Sequence, residues 1–149
     1  MKLTGYISQI ISVVVDVTFS GKLPEIYHAL EVAKPDGSKI VLEVQQHLGS
    51  NQVRTIAMGS TDGLKRHMSV VDTGQPISVP ATNKALGRMC NVLGETIDGG
   101  PRVQETKLTS IHNNPPKFTD IEPQPQVLET GIKVIDLICP FAKGGKVAA

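Results

Sequence analysis

Residues 25–49 read EIYHALEVAKPDGSKIVLEVQQHLG, and the centre of that stretch reverses the chain. In Pro35-Asp36-Gly37 the proline ring fixes φ and the glycine accepts a positive φ, which is the chemistry of a tight turn. The runs on either side are strand-like, so the stretch is predicted to form a β-hairpin.

Outward from this hairpin the same period continues. Upstream, Ile7, Ile11, Val13, Val15, Val17 and Phe19 share one parity, interrupted by Gln9, while Tyr6, Ser8, Ser12, Asp16 and Thr18 fall on the other. Period two predicts one long half-buried strand that ends at Gly21. Downstream, Val53–Met58 and Ser69–Asp72 are short strand candidates separated by an Asp62-Gly63 turn. Thr73-Gly74 is expected to turn the chain again, and Ile77 and Val79, between Pro76 and Pro80, suit an edge strand. Short strands at turn-separated spacing without a helical period predict a small antiparallel barrel or sandwich that ends near Pro80.

Composition changes beyond that point. Ala81–Val92 is apolar without a clear period, Asp98-Gly99-Gly100-Pro101 is a turn, and HNNPPKFTDIEPQPQ is extended and proline-rich. Thr130 is placed to cap a short amphipathic helix in which Ile132, Ile135 and Cys139 share a face, with Ile138 beside it and Pro140 at its end. The division is therefore residues 1–80 as a β-barrel domain and 81–149 as a partial entry segment, too little to close a second core. At the end of the chain, Gly144-Gly145-Lys146-Val147 reads as a turn feeding a new strand.

The bulk properties narrow the function classes. In 149 residues with 40% hydrophobic and 3% aromatic content and no Trp, Val, Ile and Leu must supply the packing. A net charge of +1 with no basic run excludes a strongly basic nucleic-acid footprint. Stacking aromatics are also lacking, which argues against an oligonucleotide-binding barrel. Cys90 and Cys139 have no paired-ligand spacing, so free thiols in a reducing compartment are expected. MKLTGYISQI has no secretory h-region, and no Arg-rich transit pattern is present, so a soluble protein, bacterial or organelle-encoded, is expected.

Residues able to carry chemistry are scattered. His28, His47, His67 and His112 occur singly with no i, i+4 pair, so no metal site is expected. Glu25, Glu31 and Glu43 line strand positions without evident partners and read as a solvated strand face, and His28 and His47 read as solvent-facing or satisfied structural histidines. Neither cysteine stands in an activated context, no G-x-S-x-G occurs, and both thiols read as packing residues. The phosphate-loop pattern fails at the one place it could begin: Val147 follows Gly145-Lys146 where a hydroxyl is required, and Pro140 stands at the first glycine position. Lys146 thus reads as a solvated lysine at a strand start.

Taken together, VLETGIKVIDLICPFAKGGKV (127–147), EVQQHLG (43–49), VRTIAMGSTDGL (53–64), VVDTGQPISVP (70–80) and LGRMCNVLGETID (86–98) resemble, in order, the catalytic beta subunits of F-type ATP synthases. The non-catalytic alpha subunits, the terminator Rho and flagellar export ATPases share a TGI..ID-like element but continue with a Gly-Arg-Gly-Gln type of turn. Lys143-Gly144-Gly145-Lys146 and Gln45-Gln46-His47-Leu48-Gly49 look like the beta type. The resemblance implies a mainly β chain: a six-stranded antiparallel barrel, then the incomplete start of an α/β P-loop nucleotide-binding domain. It also implies partners, namely alpha and other beta subunits in an alternating hexameric ring and a central stalk subunit, with contact to the membrane only through the assembled complex.

In that family, ATP or ADP and Mg²⁺ are held by residues downstream of the matched segments. No catalytic, cofactor-binding or metal residue is therefore assigned here, and residues 1–149 are expected to bind no cofactor. The expectation is a chain cut just before the phosphate loop, with Ala148 and Ala149 standing where Gly and Leu are usual. The competing reading is a self-standing barrel that serves as an interaction module without ATPase activity. Departures from the family pattern occur at His67, commonly Gly, at Ala81-Thr82, commonly Val-Gly, at Thr96, commonly Pro, and at Asn113, commonly Arg. If His67 takes a positive φ, the turn there is strained.

Overall fold

The structure, a computed structural model, describes residues 3–103, 107–121 and 126–148. Met1, Lys2, Ala149 and residues 122–125 of the proline-rich stretch lie outside the described residues. Two compact units divide the chain, Met1–Asn113 and Asn114–Ala149.

The first unit is built on six antiparallel strands: β1 (Thr4–Ile11), β2 (Val14–Phe19), β3 (His28–Ala33), β4 (Lys39–Gly49), β5 (Gln52–Ala57) and β6 (Ser69–Pro76). They close into a barrel in the order β1-β2-β5-β4-β3-β6. Alternate residues point inward, and Ile7, Val15, Val17, Leu30, Leu42 and Val53 are fully buried there. Phe19, 2% exposed, is the one aromatic side chain in this core, as the aromatic-poor composition requires. Thr55 also points inward, and its Oγ1 donates to the Val15 carbonyl at 2.7 Å, so the hydroxyl is buried with its hydrogen bond made.

The expected hairpin at Pro35-Asp36-Gly37 forms as β3 and β4, with Gly37 at φ 84°. Asp36 Oδ1 accepts from the Ser38 amide at 2.8 Å and its hydroxyl at 2.6 Å, which sets the turn. The next reversal places Ser50 and Asn51, at φ 48° and 60°, between the paired Gly49 and Gln52. Both loop residues are left-handed, as a tight two-residue turn between right-twisted strands demands.

Three expectations are corrected. The single strand through Phe19 is a hairpin: Ile11 pairs with Val14 around Ser12, which is held at φ 55°. A bulge between Ile7 and Gln9 shifts the parity, so Ile10 leans on the core while Ile11 and Val13 are 50% and 52% exposed. Thr73-Gly74 does not turn the chain away. β6 runs on to Pro76, and its extra residues bulge where Leu30 pairs with Asp72 and His28 with Pro76. The strand expected from Val147 is not formed; that residue is irregular and 54% exposed, and the pairing lies earlier in the chain.

After the barrel, β7 (Ser78–Val79) pairs with β8 (Thr109–Ser110), and Ile77 before it is buried. A single 3₁₀ turn at Asn83–Ala85 resolves the ambiguous apolar run, with Thr82 Oγ1 accepting from the Lys84 amide. In the second unit β9 (Val127–Leu128) pairs with β10 (Phe141–Ala142) around the six-residue helix α1 (Lys133–Ile138). No helix among the described residues is long and apolar enough to cross a membrane.

Two substitutions follow from the barrel geometry. A Cβ on Gly5 would sit 2.6 Å from the Thr18 carbonyl oxygen and 3.0 Å from the Phe19 ring. Gly5→Ala is expected to destabilise the barrel by about 1–3 kcal/mol as overpacking, read as a lower urea midpoint. His67 does take the left-handed backbone, at φ 68°. His67→Gly relieves that conformation and is expected to raise the midpoint by roughly 0.5–1 kcal/mol, even though the ring stacked on Tyr6 at 6.1 Å is lost. An unchanged or lower midpoint would show that the Tyr6 contact outweighs the backbone cost.

Candidate functional site

Among the described residues of the first unit three carboxylates are buried, Asp16, Glu43 and Asp72, and each meets a basic side chain from another element. β2 and β5 place Asp16 directly across from Arg54, and the guanidinium forks onto both carboxylate oxygens at 2.9 Å. That hydrogen bonding raises Arg54 further above its usual value. On β6, Asp72 contacts His28 Nδ1 at 3.2 Å and accepts from the Gly74 amide at 2.9 Å. Glu25 stands 3.9 Å from the other His28 nitrogen.

Glu43 corrects the reading of a solvated strand face. It is 4% exposed, and its two oxygens contact Gln45 Nε2 at 2.6 Å and His112 Nε2 at 2.8 Å. Tyr27 stacks on the His112 ring, with centroids 4.1 Å apart. Glu31 behaves more as expected, half-buried and paired with Lys39 at 3.3 Å. His47 is a satisfied structural histidine whose Nε2 donates to the Pro24 carbonyl at 2.8 Å. No sequence signal links His112 to Glu43, because the partners are 69 residues apart. Asp16 and Asp72 were missed for the same reason.

These carboxylates are engaged by separate partners, so their geometry offers an arrangement for holding strands and loops rather than an acid–base pair. Among the described residues, no three His, Cys, Asp or Glu side chains are placed to share a metal ion. Cys90 is half-buried and Cys139 exposed, which corrects the packing role expected for the latter. Lys146 is exposed, after a turn in which the Gly145 amide donates to the Ala142 carbonyl at 3.0 Å.

In the second unit Thr130 is not the helix cap. Ile132 occupies that position with no side-chain cap bond, and Thr130 instead donates its hydroxyl to Asp136 Oδ1 at 2.6 Å. The Thr130 and Gly131 amides donate to the same carboxylate at 3.0 and 2.9 Å. These bonds, led by the Thr130 hydroxyl, hold the Asp136 carboxyl below its usual value. The helix exposes Val134, Leu137 and Ile138 at 67%, 84% and 76%, while Ile135 is half-buried.

The barrel's outer surface is the other feature with functional content. Ile11 and Val13 at the β1–β2 turn are exposed, as is Ile56, which pairs with Val14 beside them. Tyr6, Ile26 and Leu48 add further exposed apolar surface, 38–48% open to solvent. Exposed apolar side chains grouped at one strand turn are suited in their chemistry to contact with another apolar surface. Residues 7–74 match the family model described as ATP synthase alpha/beta family, beta-barrel domain. The match begins in β1 and ends in β6, so what it describes is the barrel.

One ion pair in the connector is open to direct test. Arg88 forks onto Asp98 at 2.6 and 2.8 Å, and the carboxylate also accepts from the Gly100 and Met89 amides. The guanidinium, first among these, holds the Asp98 carboxyl far below its usual 3.8. A depressed folded pKa means that the stabilisation is complete above the unfolded value and is lost as pH falls toward the folded one. Amide exchange at Ile97, whose N–H donates to the Met89 carbonyl, is expected to quicken relative to its intrinsic rate below about pH 3.8. In Asp98→Asn it should be fast already at neutral pH. Equal protection in both proteins at pH 7 would remove the pair from any role in ordering this loop.

Proposed function

We propose that residues 1–149 form the N-terminal portion of a catalytic beta subunit of an F-type ATP synthase, and that the barrel's work is assembly. The match of residues 7–74 to the alpha/beta barrel domain carries this reading. The beta-like segments at 43–49 and 143–146 support the finer assignment. In this reading the barrel joins barrels of alpha and other beta subunits in an alternating ring. Residues from 81 onward begin the nucleotide-binding domain, and the whole catalytic head makes ATP from ADP and phosphate, driven by a proton gradient. The complex would lie peripherally at the cytoplasmic face of a bacterial membrane or its organellar equivalent, and a central stalk subunit would contact the assembled head.

The outward apolar side chains Ile11, Val13 and Ile56 supply the chemistry for barrel-to-barrel contact. Each is already about half covered, so burying what remains of the three is worth roughly half of the 1.5–3 kcal/mol of full burial apiece. Mg²⁺ and the nucleotide would be held by parts of the family fold outside residues 1–149, since no Gly-rich phosphate loop occurs in this sequence.

Mixing the chain with an F-type alpha subunit and measuring mass by analytical ultracentrifugation tests the assembly role. A heteromeric species that Val13→Asp abolishes is expected, and no association at tens of micromolar would count against it. Calorimetric titration of the chain alone with Mg·ATP is expected to show no saturable heat. One-to-one micromolar binding would instead reveal a nucleotide site within these residues.

A further inference from the structure

The segment from Lys107 to Asn113 crosses back to the barrel after a long excursion, and few bonds hold it there. Thr109 and Ser110 make the two-residue pairing with Val79 and Ser78, and the Ile111 amide donates to the Ile77 carbonyl at 3.0 Å. A two-residue ladder is a weak attachment on its own. Beyond it, His112 reaches Glu43 on β4, and the compact unit ends one residue later, at Asn113.

We propose that the His112–Glu43 contact is a latch, which fastens this strap to the barrel and sets the last fixed point of the barrel unit. Three observations converge on it. Glu43 is a buried carboxylate, and its Oε1 is already occupied by Gln45, so its Oε2 depends on His112 for a side-chain partner. An ionised carboxylate only accepts, which puts the proton on His112 Nε2 and fixes the ring's orientation. The ring is then clamped on its face by Tyr27, whose backbone is held at φ 70° and whose amide donates to the Val44 carbonyl at 2.8 Å. The strap tip is thereby tied to β4 and to the loop between β2 and β3. This inference requires only the barrel fold and stands whether or not the ring reading holds.

Amide hydrogen exchange on the full 149-residue chain reads the latch directly. In His112→Ala the Ile111 amide is expected to exchange about ten- to hundredfold faster, the loss of one charge-assisted hydrogen bond. The Ala57 amide, which donates to the Val13 carbonyl within the barrel, should keep its protection. His112→Gln retains a donor and is expected to restore part of the Ile111 protection. Unchanged exchange at Ile111 in His112→Ala would show that the short ladder alone holds the strap. Equal acceleration at Ile111 and Ala57 would show that His112 supports the whole barrel. Either result overturns a local latch.

Discussion

Closure of the barrel rests on β1, which must pair with β2 along one edge and with β6 along the other. The second pairing is only three residues long, Thr4 to Tyr6 against Val71 to Ser69. Gly5 sits in the middle of this seam, and the Phe19 ring packs where its side chain would be. Residue 5 is therefore a glycine because the largest core side chain needs the space. Once it is closed, none of the six strands presents an open edge, which removes the usual route to edge-to-edge aggregation.

The outside of the barrel solves a different problem. Its apolar interior is too small to fix the loops as well, so buried carboxylates do that work through paired bases. Asp16 with Arg54 joins neighbouring strands, Asp72 with His28 joins β6 to the start of β3, and Glu43 with His112 reaches a segment far along the chain. Such pairs add little net stability over apolar packing, but removing one partner leaves a buried charge exposed to the low-dielectric interior. They specify which loop lies where.

What could be read from the sequence was what neighbouring residues decide. Pro35-Asp36-Gly37 dictates its own reversal, so the turn of the β3–β4 hairpin was legible. The strand through Phe19 was misread because parity assumes an unbroken pleat, and the bulge after Ile7 resets it within one residue. Thr130 was misassigned because a capping residue and an acceptor for its hydroxyl compete locally, and Asp136 won from inside the helix. His67 was flagged because Gly is common there in the subunits the sequence resembles, and the structure gives it a positive φ. Glu43 was unreadable in principle, since nothing near it in the chain announces a partner at His112.

The separation of these contacts along the chain has a kinetic consequence. The β1–β2, β3–β4 and β4–β5 reversals join close neighbours, whereas the seam ties Thr4 to Val71 and the outer pairs span 38, 44 and 69 residues. Loop-closure entropy makes the near pairs form first and leaves the long-range ones for the end. Interactions absent from the transition state act on the escape from the native state and not on its formation. The seam and the Glu43 pair thus govern how long the folded molecule lives, while the tight turns govern how fast it is born.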